Sequence, residues 1–340
     1  MSSTDPASQQ VQYFSIPNFK FQSGTTLPVR IAYIEINPTA KKVALIPTCF
    51  RGRINTTYTF SSGALKSHRI IVAALFGNGE SSSPSNTPTG FPDSLDYQDC
   101  VRAQHALLTD GLGISKLDVV LGFSMGGQCT YHWSVMYPQF LKHAVVICSS
   151  ARTSRHNYQF LEGPKAALEN SIDFPLENRK TSSTDGKALR GVQAFGKAYS
   201  AWLTSAEWFD EELWTEMGFK TLEEFDAAVT EVGYRDWSPE DLLIMLRMWQ
   251  NGDVSAIENE GKKADSLEDA LGKIQAKVLL MPCASDQYFR PGPNKREVKS
   301  VKHGEVAVIP SVWGHIAGGG ASPKDTEWMN EKISQFLDKV

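Results

Sequence analysis

The sequence predicts an α/β fold in which a doubly wound, mostly parallel sheet carries an inserted helical cap. Short apolar segments alternate with helical segments up to residue 148, and this alternation resumes after residue 276. Alternation of this kind is typical of a parallel sheet covered by helices on both faces. Between the two parts, residues 151–272 carry almost no strand pattern. We therefore expect a core formed by 1–150 and 273–340 and a cap formed by 151–272.

Each predicted core strand is a short apolar run that ends in a turn or a loop. The chain opens with a β-hairpin over 13–36, whose polar turn lies around Gln22-Ser23-Gly24. Further strands are predicted at 41–47, 69–75, 117–121, 142–148, 277–282 and 305–310. Helices are predicted at 97–112, 128–137, 195–214, 241–249 and 326–337, with an amphipathic pattern in 128–137.

Composition and charge exclude several classes of partner. The 340-residue chain has a formal net charge of −4, so it lacks the basic excess that nucleic-acid binding requires. No apolar run reaches the roughly 18 residues of a transmembrane helix, and residues 1–12 lack the apolar centre of a secretion signal. The five cysteines form no C-x-x-C pair, so neither disulfides nor a metal site is indicated. We expect a cytoplasmic protein without nucleic-acid or membrane partners.

The pentapeptide Gly122-Phe123-Ser124-Met125-Gly126 carries the strongest functional signal in the chain. It lies between the predicted strand 117–121 and the predicted helix 128–137, which is the context of a G-x-S-x-G nucleophile elbow. Glycines on either side let strand and helix approach closely and let the serine adopt a strained backbone with an exposed Oγ. Such pentapeptides also occur in purely structural turns. The context and the partners downstream predict that Ser124 is a nucleophile.

A serine hydroxyl needs a base, and the base needs an orienting acid. Asp286 follows the strand predicted at 277–282, and His315 lies in a glycine-rich loop after the last predicted strand. An isolated aspartate is usually a turn former, and an isolated histidine is usually a packed or surface residue. The order Ser, Asp, His and the positions after strands nevertheless match an elbow-type site. We predict Ser124, Asp286 and His315 as catalytic residues.

Acyl chemistry at a serine develops a negative oxygen that needs preorganised hydrogen-bond donors. In an elbow-type site, one donor is the backbone N–H of the residue after the nucleophile, here Met125. The second comes from the loop after the strand at 41–47, and we predict the N–H of Phe50.

Beyond these motifs, the chain resembles the homoserine O-acetyltransferase family of the α/β-hydrolase superfamily, from about residue 47 to 156 and from 278 to 315. The similar segments are a Gly/Ser/Pro loop at 76–85, a D-x-V-x-A-Q-like helix at 99–104, a G-G-S-M-G-G-M-Q-like elbow at 122–128 and an A-R-x-S-like segment at 151–154. The resemblance implies the α/β-hydrolase fold. It also implies Ser124, Asp286 and His315 as nucleophile, acid and base, with an oxyanion donor at Phe50.

Three positions depart from the family pattern. Phe123 replaces the second glycine of the family's elbow, and Ile316 follows His315 where the family has an acidic residue. Lys165 stands where the family carries an arginine that holds the homoserine carboxylate, and lysine lacks the planar bidentate fork of arginine. The resemblance thus implies a substrate-binding role for Lys165 but does not carry homoserine over as the substrate. The aromatic side chains of the cap predict either packing of its helices or an apolar pocket.

Three functions stay open at this point. The first, which we expect, is an O-acyltransferase that moves an acyl group through acyl-Ser124 from acetyl-CoA or another acyl-CoA to an alcohol other than homoserine. The second is a carboxylic ester hydrolase with the same three residues. The third is a non-catalytic ligand-binding scaffold, which would be favoured if one of those residues were replaced. A small-molecule ester or alcohol is the expected partner, no bound cofactor is expected, and a homodimer is left open.

Overall fold

The computed structural model describes residues 9–87, 89–174, 189–258 and 262–339, and its centre is one eight-stranded sheet. The strands are β1 (Gln12–Lys20), β2 (Thr26–Ile36), β3 (Lys42–Pro47), β4 (His68–Ala73), β5 (Leu117–Phe123), β6 (Leu141–Ile147), β7 (Lys277–Met281) and β8 (Gly304–Val306). They lie in the order β1-β2-β4-β3-β5-β6-β7-β8. Strands β3 to β8 are parallel, whereas the opening hairpin and the β2–β4 pair are antiparallel. The predicted mostly parallel sheet is confirmed.

Both faces of the sheet are buried, as a doubly wound fold requires. Alternate residues of β5 enter different cores, Val120 on one face and Val119 with Leu121 on the other. The first core includes residues of α1 (Tyr97–Ala106) and α2 (Met125–Met136), and the second includes residues of α10 (Pro323–Leu337). The apolar strands are thus covered by helices from both sides, which confirms the predicted fold class.

Between β6 and β7 the described residues form helices and no strand. These helices are α3 (Arg155–Glu169), α4 (Leu189–Ser200), α5 (Ala206–Asp210), α6 (Leu222–Ala227), α7 (Pro239–Gln250) and α8 (Leu267–Gly272), and α9 (Pro291–Glu297) follows β7. No helix in the described part of the chain has the length and apolar character needed to cross a bilayer. The division into a core and a cap over 151–272 stays a prediction, and 175–188 and 259–261 lie outside the described residues.

Two helical expectations were wrong. The stretch 195–214 is not continuous, because α4 ends at Ser200 and Ser205 begins α5 by accepting a hydrogen bond from the N–H of Trp208 at 3.1 Å. Helix α2 is not amphipathic, because eleven of its twelve residues are buried between the sheet and α1. Its polar side chains bond within the protein, as when Thr130 Oγ1 donates to the carbonyl of Gly126 at 2.9 Å. Polar residues on one face of this helix therefore do not show that the face is exposed to solvent.

Two glycines let β5, α2 and the end of β3 meet through their backbones. A Cβ atom on Gly122 would overlap the carbonyl group of Gly126. A Cβ atom on Gly126 would lie 2.6 Å from the carbonyl oxygen of Pro47, the last residue of β3. Because backbone atoms cannot move aside as a flexible side chain can, this approach requires glycine at both positions.

We predict that Gly122→Ala lowers the free energy of unfolding by about 1–3 kcal/mol, because the added methyl group forces strand and helix apart. The control is Gly163→Ala in α3, where a Cβ atom would have no neighbour within 4 Å. This control should gain roughly 0.5–1 kcal/mol, since alanine is the better helix former. Urea-denaturation midpoints measure both effects, and equal midpoints for the two variants would contradict the close contact.

Candidate active site

Ser124 stands at a sharp reversal between β5 and α2, with φ of 56° and ψ of −124°. A non-glycine residue rarely adopts this left-handed region and needs surrounding contacts to hold it there. Its N–H donates to the carbonyl of Ile147 at 2.9 Å, and its own carbonyl accepts from Ser149 Oγ at 2.7 Å. Both contacts come from β6 or the residues just after it, so the neighbouring strand fixes the elbow.

The three predicted catalytic side chains form one hydrogen-bonded chain. His315 Nε2 lies 2.9 Å from Ser124 Oγ, although the two residues are 191 positions apart. His315 Nδ1 lies 2.7 Å from Asp286 Oδ2. Asp286 follows β7, and His315 lies in a short 3₁₀ turn region (Gly314–Gly319) beyond β8. Residues that follow three parallel strands therefore meet at one edge of the sheet, in the hydrogen-bonding order that a nucleophile, a base and an acid require.

The carboxylate of Asp286 is buried but well supplied with donors. Its Oδ1 accepts hydrogen bonds from the backbone N–H groups of Tyr288 at 3.0 Å and Phe289 at 2.9 Å, while Oδ2 faces His315. Backbone donors of this kind compensate for the loss of water around an ionised carboxylate. The acid is thus held in one orientation, which in turn orients the imidazole ring.

Aromatic rings surround the imidazole of His315. The ring centroids of Phe123, Tyr288 and Phe289 lie 4.7, 4.4 and 5.7 Å from that of His315. His315 is only 3% exposed. These contacts restrict rotation of the ring, and the hydrogen-bonded carboxylate of Asp286 can stabilise a positive charge that forms on the imidazole.

A cavity of about 300 Å³ opens onto Ser124 Oγ and His315. Its other lining residues come from the loop after β3, from the elbow, from the inserted helices and from the turn that carries His315: Phe50, Arg51, Phe123, Tyr199, Leu203, Ile316, Gly319, Gly320 and Ala321. The lining is mainly apolar and includes one charged side chain, that of Arg51. A small uncharged molecule with an apolar portion fits such a space.

The two predicted oxyanion donors belong to the elbow, for Met125, and to the loop after β3, for Phe50. Met125 is completely buried at the first position of α2, so its N–H is one of the helix N-terminal donors that have no intrahelical partner. Phe50 lines the cavity, and its N–H makes no hydrogen bond to another residue in the described ranges. The approach of Gly126 to Pro47 brings the loop of Phe50 against the start of α2. The arrangement can therefore supply two free N–H groups near Ser124.

Two arginines that were not among the predicted site residues fix this loop to the connection that precedes α7. The guanidinium of Arg51 lies 3.8 Å from the ring centroid of Tyr234 and donates to the carbonyl of Gly233 at 2.8 Å. The guanidinium of Arg53 lies 3.8 Å from the ring centroid of Trp237. Their position next to Phe50 in the sequence was the feature that could have identified them as site residues. Their partners lie roughly 180 residues away and could not be predicted from the sequence.

The structure does not bring Lys165 to the cavity. Its Nζ lies 3.1 Å from both carboxylate oxygens of Glu162, one turn earlier on α3. Glu162 also accepts a hydrogen bond from Gln250 at 2.6 Å. The ammonium group is thus neutralised by its own helix, and the predicted contact with a substrate carboxylate has no structural support. The cation that does line the cavity is Arg51.

Packing explains the aromatic residues of the inserted helices better than a lining role does. Trp249 packs behind Phe50 with ring centroids 5.7 Å apart, and Trp208 packs on Trp214 with centroids 6.0 Å apart. Neither Trp249 nor Trp208 lines the cavity, whereas Tyr199, which the sequence analysis did not single out, does. The aromatic layer therefore supports the cavity wall from behind.

One group of side chains in the described ranges has the spacing of metal ligands. The Sγ of Cys148 lies within 4.8 Å of ligand atoms of Asp286 and His315. Burial raises the pKa of the Cys148 thiol well above its usual value, so the sulfur is a neutral, weak ligand. The carboxylate and imidazole are already hydrogen-bonded to one another. The arrangement thus favours acid–base chemistry at Ser124 over metal binding.

Comparisons with known proteins show that the chain is similar to ester hydrolases and to homoserine acyltransferases. A family model of the alpha/beta hydrolase fold matches residues 53–196. The chain is 31% identical over 312 residues to ethyl acetate hydrolase from Pseudomonas veronii, covering 89% of this chain and 87% of that protein. An acetylester hydrolase from Corynebacterium glutamicum has a similar crystal structure, with a TM-score of 0.88 and 26% identity over 97% of this chain and 96% of that one. A homoserine O-acetyltransferase from Geobacter sulfurreducens is 26% identical over 73% of this chain and 69% of that protein.

Charged side chains bind the loop of Phe50 to the Gly/Ser/Pro loop at 76–85, and that second loop to α7. Arg53 donates to the carbonyl of Asn78, and Glu80 Oε2 accepts the N–H of Ile54 at 3.0 Å. Asp241 on α7 accepts from the N–H and Oγ of Ser85 at 3.0 and 2.5 Å. Burial, which outweighs these hydrogen bonds, raises the pKa of Asp241 to about 6.

We predict that Asp241 makes folding pH-dependent. Between about pH 4 and pH 6 the unfolded chain releases this proton while the folded chain retains it, so stability falls as pH rises through that window. The substitution Asp241→Asn removes this fall. The difference in free energy of unfolding between the variant and the wild type should therefore rise by up to about 3 kcal/mol from pH 4 to pH 7. Urea titrations across this range measure the difference. A difference that stays constant with pH, or that equally appears in the exposed-site control Asp93→Asn, would contradict the assignment.

Proposed function

The chain belongs to the α/β-hydrolase superfamily as a divergent relative of the homoserine O-acetyltransferases, and from this premise we propose that it is a carboxylic ester hydrolase acting on small acetyl-type esters. The observation that carries the proposal is the chain of hydrogen bonds from Ser124 Oγ through His315 to Asp286, which opens into an apolar cavity. Nucleophile, base and acid are the roles that this geometry supports.

The proposed reaction begins with acylation of the serine. Ser124 Oγ attacks the ester carbonyl carbon as His315 Nε2 takes the hydroxyl proton, and the negative oxygen is held by the N–H groups of Phe50 and Met125. The tetrahedral intermediate collapses, the C–O bond to the alcohol breaks, and His315 gives its proton to the leaving oxygen. Asp286 stays ionised throughout and stabilises the positive imidazolium.

Deacylation uses the same groups in reverse. A water molecule enters the space that the alcohol leaves, His315 Nε2 takes its proton, and the resulting nucleophile attacks the acyl carbon. The bond to Ser124 Oγ breaks, the proton returns from His315 to the serine, and the carboxylic acid is released. An alcohol could replace water at this step, which is why the three residues alone do not separate a hydrolase from a transferase.

Two observations support hydrolysis over acyl transfer. The ethyl acetate hydrolase is 31% identical over 89% of this chain and the acetylester hydrolase is 26% identical over 97% of it, whereas the homoserine O-acetyltransferase from Geobacter sulfurreducens is 26% identical over 73%. Lys165, which stands where the family has its carboxylate-binding arginine, is paired with Glu162. Acyl transfer remains the second candidate because of the similarity to a homoserine acyltransferase, and an acyl-CoA co-substrate belongs to that candidate alone.

We predict that Ser124→Ala lowers kcat for p-nitrophenyl acetate by at least ~10³-fold, because binding and the oxyanion donors alone remain. Wild-type protein quenched during turnover should gain the mass of one acetyl group on the peptide containing Ser124. Ser134→Ala is the matched control, since Ser134 is buried in the same helix but bonds only to the carbonyl of Thr130. A folded Ser124→Ala protein with activity near that of the control would refute the mechanism.

We also predict that water outcompetes alcohols for the acyl-enzyme. With p-nitrophenyl acetate, acetate and p-nitrophenol should form in equal amounts, and added homoserine or butanol should not divert acetyl groups into a new ester. Acetyl-CoA should be a poor donor. Chromatographic measurement of acetate and acetylated products decides between the candidates. O-acetylhomoserine or butyl acetate as the main product would establish the transferase instead.

A further inference from the structure

A second cavity, of about 280 Å³, lies beside the one that contains Ser124 and His315. Ser124 and His315 do not line it. Its walls come from the ends of β3 and β5, from the loop after β3 and from the turn that carries His315, and they are largely apolar, with Ile46, Phe60 and Leu121 among them. The two cavities share four lining residues, Phe50, Arg51, Phe123 and Gly319.

Among these four residues, Phe123 is the one whose side chain forms the wall between the two cavities. The ring of Phe50 packs into the aromatic layer, 5.9 Å from Tyr199 and 5.7 Å from Trp249. The guanidinium of Arg51 lies over Tyr234, and Gly319 has no side chain.

The Phe123 ring is held in place between His315 and a glycine pair. Its centroid lies 4.7 Å from that of His315. A Cβ atom on Gly318 or Gly319 would come within 2.9 or 3.2 Å of the ring edge, so both glycine backbones pack directly against it. The ring is therefore a fixed partition, held against backbone on one side and imidazole on the other.

The position of the base tells which part of an ester meets this wall. The leaving alcohol must lie within reach of His315 Nε2, and His315 lines the first cavity but not the second. The second cavity lies under the loop of Phe50, where the oxyanion is proposed to bind. The acyl chain must point away from the leaving alcohol, so it is the acyl chain that runs toward Phe123.

We propose that Phe123 is the residue that limits the acyl chain, and that the enzyme accepts acetyl and similarly short acyl groups because this ring closes off the second cavity. The proposal rests on the proposed function and extends it to a substrate class, short-chain acyl esters. With the ring removed, the two cavities join, and the apolar walls of the second one accommodate a longer acyl chain.

The test compares acylation rates for p-nitrophenyl acetate, butanoate and hexanoate in wild type, Phe123→Ala and Phe123→Leu. Stopped-flow release of p-nitrophenol reports acylation, which precedes the choice between water and alcohol. The hexanoate-to-acetate ratio should rise at least ~10-fold in Phe123→Ala and by less in Phe123→Leu, since each methylene in an apolar pocket contributes a substantial factor. Ratios are used because the ring also packs on His315, so its loss lowers all rates together.

Phe289→Leu is the matched control. Phe289 also stacks on His315, at 5.7 Å, but lines neither cavity. It should lose rate for every ester without a change in the hexanoate-to-acetate ratio. A second series with a fixed acetyl group, namely ethyl, butyl and hexyl acetate, should keep its ratios in the Phe123 variants, because the alcohol side does not meet the wall.

The outcomes separate the two proposals. An unchanged acyl ratio in Phe123→Leu and Phe123→Ala, or an equal shift in the alcohol series, would overturn the role of Phe123 and leave the ester hydrolase intact. An equal ratio change in Phe289→Leu would also overturn it, because the effect would then come from His315. Absence of acylation by every ester in the wild type would overturn the proposed function and the acyl limit together. If Phe123→Ala does not fold, Phe123→Leu carries the comparison.

Discussion

The left-handed backbone of Ser124 is the constraint on which the rest of the site depends. A φ of 56° costs on the order of 1–3 kcal/mol for such a residue and persists only where its surroundings fix it. Here the N–H of Ser124 donates to the carbonyl of Ile147 in β6, and the carbonyl of Ser124 accepts from Ser149 Oγ. Gly122 and Gly126 let strand and helix close on the turn. Because the chain reverses within one residue, the hydroxyl, the helix N-terminus and the end of β3 converge at one point.

Burial then decides how the converging groups behave. Asp286 and His315 are both about 97% removed from solvent, so their mutual attraction is strong and few competing partners remain. Two backbone N–H groups keep the carboxylate satisfied, and three aromatic rings hold the imidazole. Lys165 illustrates the opposite case, because its ammonium is partly exposed and pairs with Glu162 on its own helix. The hydrogen-bonded pair of His315 and Asp286 therefore lies next to Ser124, and the charged side chain that lines the cavity beside this pair is that of Arg51.

The sheet and the inserted helices contribute different properties. The ends of β5 and β7 and the turn after β8 supply the reacting side chains, whereas the residues inserted between β6 and β7 supply Tyr199 from α4 and Leu203 from the connection between α4 and α5 to the cavity. They also hold the loop of Phe50 through Arg51 and Tyr234. A change in these helices can therefore alter the substrate, and through the loop the oxyanion donors, without touching the hydrogen-bonded chain. The elbow itself takes part in selection through Phe123, whose ring faces both cavities.

The sequence alone determined where the strands follow one another along the chain, where the elbow lies and which three residues are predicted to meet there. These features are local, since an apolar run, a G-x-S-x-G turn and a residue just after a strand each appear within a few positions, and parallel strands gather their carboxyl ends at one edge. The sequence did not reveal the break in 195–214 or the burial of α2, because both depend on what packs against the helix. The sequence also did not reveal the contacts of Arg51, and it implied a substrate-binding role for Lys165, which does not line the cavity. Side-chain partners such as Tyr234 lie far along the chain or compete with nearer ones such as Glu162, and only the tertiary structure decides between them.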